Sequence, residues 1–343
     1  IFNFAKMERR FLKIIIFTSL LITSCKQIPI NESNKNFVDD NIEKQNLVID
    51  LKKQEKIISY HSDIWSYILV NSTYTSDSLD EQTLLYMNRH LQDLDKFKEF
   101  LNDSYYFMFF VIEELENAKL PIELAFLPYI ESNYDPFSIS SSGAVGMWQF
   151  MPRTGRTYDL ERSWWNEDRH DPFKSTTAAI KYLKYLYERF DQDLYLTLAA
   201  YNAGPSFLDR QIKRNQRRGL NTDYWSLDLP IQTRNYVPKF IAIKELIINS
   251  DQYDIVLPFI PYEPVVAKIE IPGQVEILTL SEYLNIKPEL LYKLNAGYTK
   301  WASAPSEKSV FYIPIEQYDY FQTSENPFTE SNQINWISHT VER

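Results

Sequence analysis

Apolar residues three and four apart recur along most of this chain. Leu84, Met87, Leu91, Leu94 and Phe97 follow that spacing, as do Tyr105, Met108, Ile112 and Leu115. Side chains so spaced share one face of a 3.6-residue helix, so the stretch from about Ile64 to Lys119 is expected to be helical. "STTAAIKYLKYLYERF" is the clearest later helix, with Ser175 as its expected N-cap and Ala179, Leu183, Leu186 and Phe190 as its stripe. "LYLTLAAYNAGP" is a second, stopped by Gly204–Pro205, and "TRNYVPKFIAIKELIIN" is a third. A chain patterned this way folds as a mostly α protein up to about Ile248.

The texture changes after Asn249. "LPFIPYEP" is a proline-punctuated linker. Beyond it "VVAKIEI" reads as a strand, "LTLSEYLN" and "KPELLYKLN" as two short helices, and "SVFYIPI" as a closing strand, a small α+β unit in the order β-α-α-β. At the other end, "MERRFLK", "IIIFTSLLI" and "TSC" have the order of a basic, an apolar and a small-residue segment. That apolar run is too short to span a bilayer, so a signal peptide is expected, with Met7 as its start. Cys25 is the only cysteine among 343 residues, which leaves no internal disulfide. The expected organisation is a leader at 1–25, a polar tether at 26–55, a helical domain at 56–250, a linker and small unit at 251–317, and a tail at 318–343.

The formal net charge of −10 argues against nucleic acid as a partner, because phosphate contacts require a basic surface. The four histidines are scattered, with no helical pair and no cysteine partners, so no catalytic metal is expected. No phosphate-binding or dinucleotide glycine pattern is present, and no cofactor is called for. What remains is carboxylate chemistry. The chain has only seven glycines, yet Gly143, Gly146 and Gly155 cluster just after Glu131, which ends the apolar run "IELAFLPYI".

Asp135–Pro136 is expected to end the helix carrying Glu131. A glutamate in a last helical turn feels the negative end of the helix dipole, and burial also disfavours its charge. Both raise its pKa, as a general acid requires. The competing reading is a solvated glutamate near a helix end. The glycines fit either a surface turn or a loop that lets a ligand approach the backbone. On the second reading Gln149, within "MWQFMP", is a bidentate hydrogen-bonder that would suit a sugar with an N-acetyl group.

With "ES", "GMWQFMP" and "AAYNAG" in this order and spacing, the sequence resembles the family 1 lytic transglycosylases, over roughly Ile64 to Ile248. The resemblance implies a lysozyme-like helical catalytic domain and cleavage of the MurNAc–GlcNAc bond of peptidoglycan with a 1,6-anhydro product. It implies that Glu131 is the single catalytic acid and base, flanked by Ser132 and Ser140. Gly146, Gln149 and Met151 would shape the sites around the scissile bond. Tyr201 and Asn202 would complete the pocket, the tyrosine hydroxyl lying near Glu131. "LITSC" resembles a lipoprotein signal, which would anchor Cys25 in a membrane, the outer one facing the periplasm, with Lys26 following. The terminal β-α-α-β unit resembles a LysM module but departs from it where "GQVEIL" replaces the usual turn. A lysozyme-type hydrolase on the same fold and a non-catalytic wall-binding lipoprotein are the competing functions.

Overall fold

Acidic residues set where the helices begin. Asp63, Asp80, Asp93, Asp171 and Asp193 each accept backbone N–H groups through their carboxylates at the first turn of the helix that follows. A cap of this kind is worth about 1 kcal/mol, because the first N–H groups of a helix have no partner within it. The computed structural model describes residues 63–72, 79–325 and 327–328. The leader, Cys25, the 26–55 tether and most of the tail lie outside the described residues.

The helical stretch expected over 64–119 is four helices: Ile64–Asn71, Glu81–Leu91, Leu94–Asn102 and Met108–Ala118. Asp93 divides what periodicity alone joined, and Leu84 and Leu94 turn out to be exposed while Met87 and Phe97 are buried. Ser175 is not a cap. The helix runs Pro172–Arg189, with Asp171 capping it and Pro172 in the first turn, where its missing N–H costs nothing. Ser175 lies inside, fully buried, and its hydroxyl has no hydrogen-bond partner among the described residues. The stripe Ala179, Leu183, Leu186 and Phe190 is buried as expected. Gly204, at φ +86°, ends Leu194–Ala203, and Pro205 at once starts another helix, Pro205–Arg217, which the sequence reading did not anticipate.

Tyr236–Ile248 is apolar on nearly every side, from Val237 and Phe240 to Leu246 and Ile247, and such a helix can be stable only inside a core. It packs against Glu81–Leu91, Leu194–Ala203 and the segment ending at Glu131. The main core therefore surrounds the helix that stands behind that glutamate.

The terminal unit has the expected order. Strand β1, Val266–Pro272, pairs antiparallel with β2, Lys308–Pro314, in a register that places Ile269 opposite Phe311. Helices Ile277–Leu284 and Pro288–Leu294 connect them over a separate small core of Ile269, Ile271, Leu280, Leu291, Phe311 and Ile313. This unit is seated on the helical body. Tyr312 stacks on Phe173 at 3.7 Å, and the N–H of Glu167 donates to the carbonyl of Gly297 at 2.8 Å. A Cβ at Gly297 would lie 2.8 Å from that of Asp171, so the contact requires glycine.

Candidate active site

Glu131 does not end a long helix. Ile122–Phe126 is a 3-10 turn, and Pro128 opens a separate five-residue α-helix, Leu127–Glu131. The chain then leaves the helix through Ser132, not at Asp135–Pro136. Asn133 and Tyr134 both take left-handed backbone angles, and the Tyr134 N–H closes back onto the Pro128 carbonyl. Tyr134 is buried, its hydroxyl donating to the Ala125 carbonyl at 2.6 Å, so this strained exit is held by side-chain burial.

The Glu131 carboxyl is hydrogen-bonded by the hydroxyl of Tyr236, at the start of the buried helix. Burial pushes the carboxyl up to about 7, against the lowering effects of the Tyr236 hydrogen bond and the charge of Lys239. Desolvation, not the dipole of a one-turn helix, therefore provides the shift. The residue itself is only half-buried, so the acid stands at an opening. Tyr236 stays protonated, because burial and the neighbouring Glu131 both hold its hydroxyl pKa well above the ordinary tyrosine value.

Ser138 to Phe150 forms a wall beside this carboxyl. Val145 and Phe150 exchange both backbone hydrogen bonds, and the Gly146 N–H donates to the Ser138 carbonyl at 2.9 Å. Two side chains near the acid tie down the wall's inner side. Ser132 Oγ donates to the Met147 carbonyl at 2.8 Å, and the Tyr201 hydroxyl donates to the Trp148 carbonyl at 2.7 Å. Tyr201 is thus close enough for the Glu131 charge to raise its pKa, after burial, but its proton is committed to the wall. The tyrosine that bonds the acid is Tyr236.

The remaining expected residues serve several purposes. Ser140 Oγ accepts the Ala144 N–H at 2.9 Å and pairs with Ser142, closing the small-residue turn. Gln149, itself at φ +50°, donates from Nε2 to the Gly146 carbonyl at 2.8 Å. Its Oε1 accepts no hydrogen bond among the described residues and is free to meet a ligand N–H. Met151 is exposed at the head of helix Pro152–Thr157. Asn202 Oδ1 accepts from Thr233 at 2.9 Å, which leaves its amide nitrogen as a donor.

The glycines have separate reasons. Gly143 and Gly146 both have positive φ, but only Gly146 is also crowded: a Cβ there would stand 1.8 Å from the Arg169 carbonyl oxygen. Arg169, 7% exposed, organises the wall from behind. Its guanidinium holds both Glu167 oxygens, at 2.8 and 3.0 Å, and donates from Nη1 to the Phe150 and Gly143 carbonyls at 3.1 and 3.3 Å. Burial alone would raise the Glu167 carboxyl, and Arg169 outweighs it, holding Glu167 below the usual carboxylate range. Sequence reasoning assigned nothing to Arg169, Glu167 or Tyr236. Charges within an otherwise apolar or glycine-poor neighbourhood were the available signal for the first two, and Tyr236 offered none.

Asp135, Asp171 and Glu161, which follow Glu131 in sequence, are capping residues or exposed. Asp135 holds the Phe137 N–H at 2.9 Å, Asp171 caps its helix, and Glu161 is exposed.

The chain is 31% identical over 274 residues to membrane-bound lytic murein transglycosylase D of Escherichia coli K12, covering 78% of this chain and 59% of that protein. It is 33% identical over 108 residues to membrane-bound lytic murein transglycosylase F of Alcanivorax borkumensis, covering 30% of this chain and 22% of the other. The chain thus spans little more than half the length of the first of these relatives. Among solved structures, lytic transglycosylase Slt of Pseudomonas aeruginosa superposes with a TM-score of 0.37 at 19% identity, covering 58% of this chain and 34% of that one. Residues 109–223, which carry Glu131, the glycine wall and Tyr201, match the Transglycosylase SLT domain.

Proposed function

We propose that the chain is a peptidoglycan lytic transglycosylase in which Glu131 acts first as acid and then as base. The observation that carries this reading is a glutamate held at about pKa 7 by burial, half-buried at the surface and hydrogen-bonded by a tyrosine, within an SLT domain. Protonated Glu131 donates to the leaving glycosidic oxygen. The substrate's N-acetyl carbonyl assists the developing oxocarbenium ion. The resulting carboxylate then takes the proton of the sugar's own C6 hydroxyl, which closes a 1,6-anhydro ring. Most glycosidases use two carboxylates. An internal nucleophile has so large an effective concentration that water loses the competition without a second one.

Around the acid, Gln149 Oε1 and the Asn202 amide nitrogen would bind the sugar's amide and hydroxyl groups, and exposed Met151 would meet an apolar sugar face. The catalytic part is read as lysozyme-like, at 56–250, followed by a linker and a LysM-like unit at 251–317. Lipidation at Cys25 would hold the enzyme in the cell envelope, at the outer membrane facing the periplasm, beside its substrate. Loss of acyl labelling in Cys25→Ala tests that address. Mass spectrometry of digested sacculi tests the chemistry. Anhydro ends from the wild type and none from Glu131→Gln are expected, whereas reducing muramic ends would make the enzyme a hydrolase.

A further inference from the structure

A groove of 580 Å³ opens on the Arg169 side of the glycine wall. Ile139 and Gly143 of the wall line it, with Arg162 and Trp164 from the next turn and Thr299 and Lys300 from the β-α-α-β unit. The wall is shared between the two sites. Its Met147 and Trp148 carbonyls are tied on the Glu131 side, and its Gly143 and Phe150 carbonyls on the Arg169 side.

Trp164 is 73% exposed, although an indole is usually mostly buried. It is nonetheless firmly placed. Thr299 Oγ1 donates to the Trp164 carbonyl at 2.9 Å, and the Thr299 N–H donates to the Trp165 carbonyl at 2.8 Å. Ser163 Oγ accepts the N–H groups of Trp165 and Asn166 at 3.1 and 3.0 Å. Lys300 Nζ sits 3.9 Å from the ring centroid, a cation–π contact that occupies one face. No aromatic ring covers the other face among the described residues. A held indole with one open face is a stacking platform for the C–H face of a sugar, since its ordering cost is already met by the fold.

The rim adds charge of one sign. Arg162 is exposed, and its ion-pair partner among the described residues is Glu167, at 3.4 Å, whose two oxygens Arg169 already holds. Two cations beside an open aromatic face, in a chain of net charge −10, fit an anionic, sugar-bearing partner.

We propose that this groove is a distal subsite for a peptidoglycan strand, with a sugar stacked on Trp164 and stem-peptide carboxylates drawn to Arg162 and Lys300. The inference rests on the lytic transglycosylase reading above. It also gives the β-α-α-β unit a definite task, supplying Thr299 and Lys300 to complete a site that the SLT domain alone leaves half built.

Co-sedimentation of the full chain with purified sacculi tests it. Trp164→Ala is expected to bind about tenfold more weakly, as loss of an aromatic anchor does, and Trp164→Phe to recover most of that. Arg162→Glu should weaken binding to intact sacculi but not to sacculi stripped of stem peptides by an amidase. Binding and digestion by Trp164→Ala equal to wild type would overturn the subsite. Equal weakening by Arg162→Glu on both substrates would remove the stem-peptide part. A wild type that sediments but releases no products would instead defeat the transglycosylase reading, while the Trp164 comparison would still decide the groove.

Discussion

Tyr236 donates its hydroxyl to Glu131 across 105 residues of sequence. The donor lies outside the 109–223 segment that matches the SLT domain, on the buried helix that forms the back of the site. The bond favours the charged carboxylate and burial favours the neutral acid. Burial wins, and the balance leaves the pKa at about 7.

Activity should fall on the alkaline side with a midpoint near pH 7, as the acid loses its proton. Tyr236→Phe removes a hydrogen bond that lowers the Glu131 pKa, so the midpoint should move up, by about one unit. A pH profile of kcat/KM on solubilised glycan measures this. An unmoved or lowered midpoint would show that Tyr236 does not set the protonation of the acid.

The same shift has a stability consequence. Folded Glu131 keeps its proton up to about pH 7, whereas an ordinary glutamate loses it near 4.5. Between those values the folded state binds more protons, so stability falls as pH rises through the window. Glu131→Gln lacks that loss and should be more stable than wild type at pH 8, by up to about 3 kcal/mol at about 1.4 kcal/mol per unit. The gap should close near pH 4, as thermal melts of both proteins at the two pH values will report.

Gly146 and Gly143 should separate cleanly on substitution by alanine. Both pay the left-handed backbone penalty, about 1–2 kcal/mol. Only Gly146→Ala also drives a methyl group into the Arg169 carbonyl, so its loss should exceed about 4 kcal/mol and take the wall with it. Urea denaturation of the two variants is the measurement, and a similar midpoint for both would contradict the close packing.

Arg169→Met leaves Glu167 buried and charged, with Arg162 as its remaining cation among the described residues. A destabilisation of about 3–5 kcal/mol is expected, as for other buried pairs broken on one side. Glu167 holds its charge below the usual range, so the pair's contribution should fade as pH drops below the ordinary glutamate value. The double variant Arg169→Met/Glu167→Leu should recover part of the loss, because no unpaired charge then remains inside.

Much of this protein is legible locally. Helix stripes, the Gly204–Pro205 stop and the β-α-α-β order depend on spacing and on residues a few positions apart, and the chain displays these directly. Glu131 could also be picked out as an acid beside an apolar run. Boundaries were less legible, because Asp93 and Asp171 compete with periodicity and with Ser175 for the helix ends, and the outcome depends on which cap the packed backbone can reach. The tertiary structure alone decided which tyrosine meets Glu131 and which takes the Trp148 carbonyl. It alone decided that Gly146 is required by Arg169, and that Lys300 comes to lie over Trp164. Each of those is a contact between segments distant in sequence, and a hydrogen bond, a close approach or a desolvated charge exists only once folding has excluded water between them.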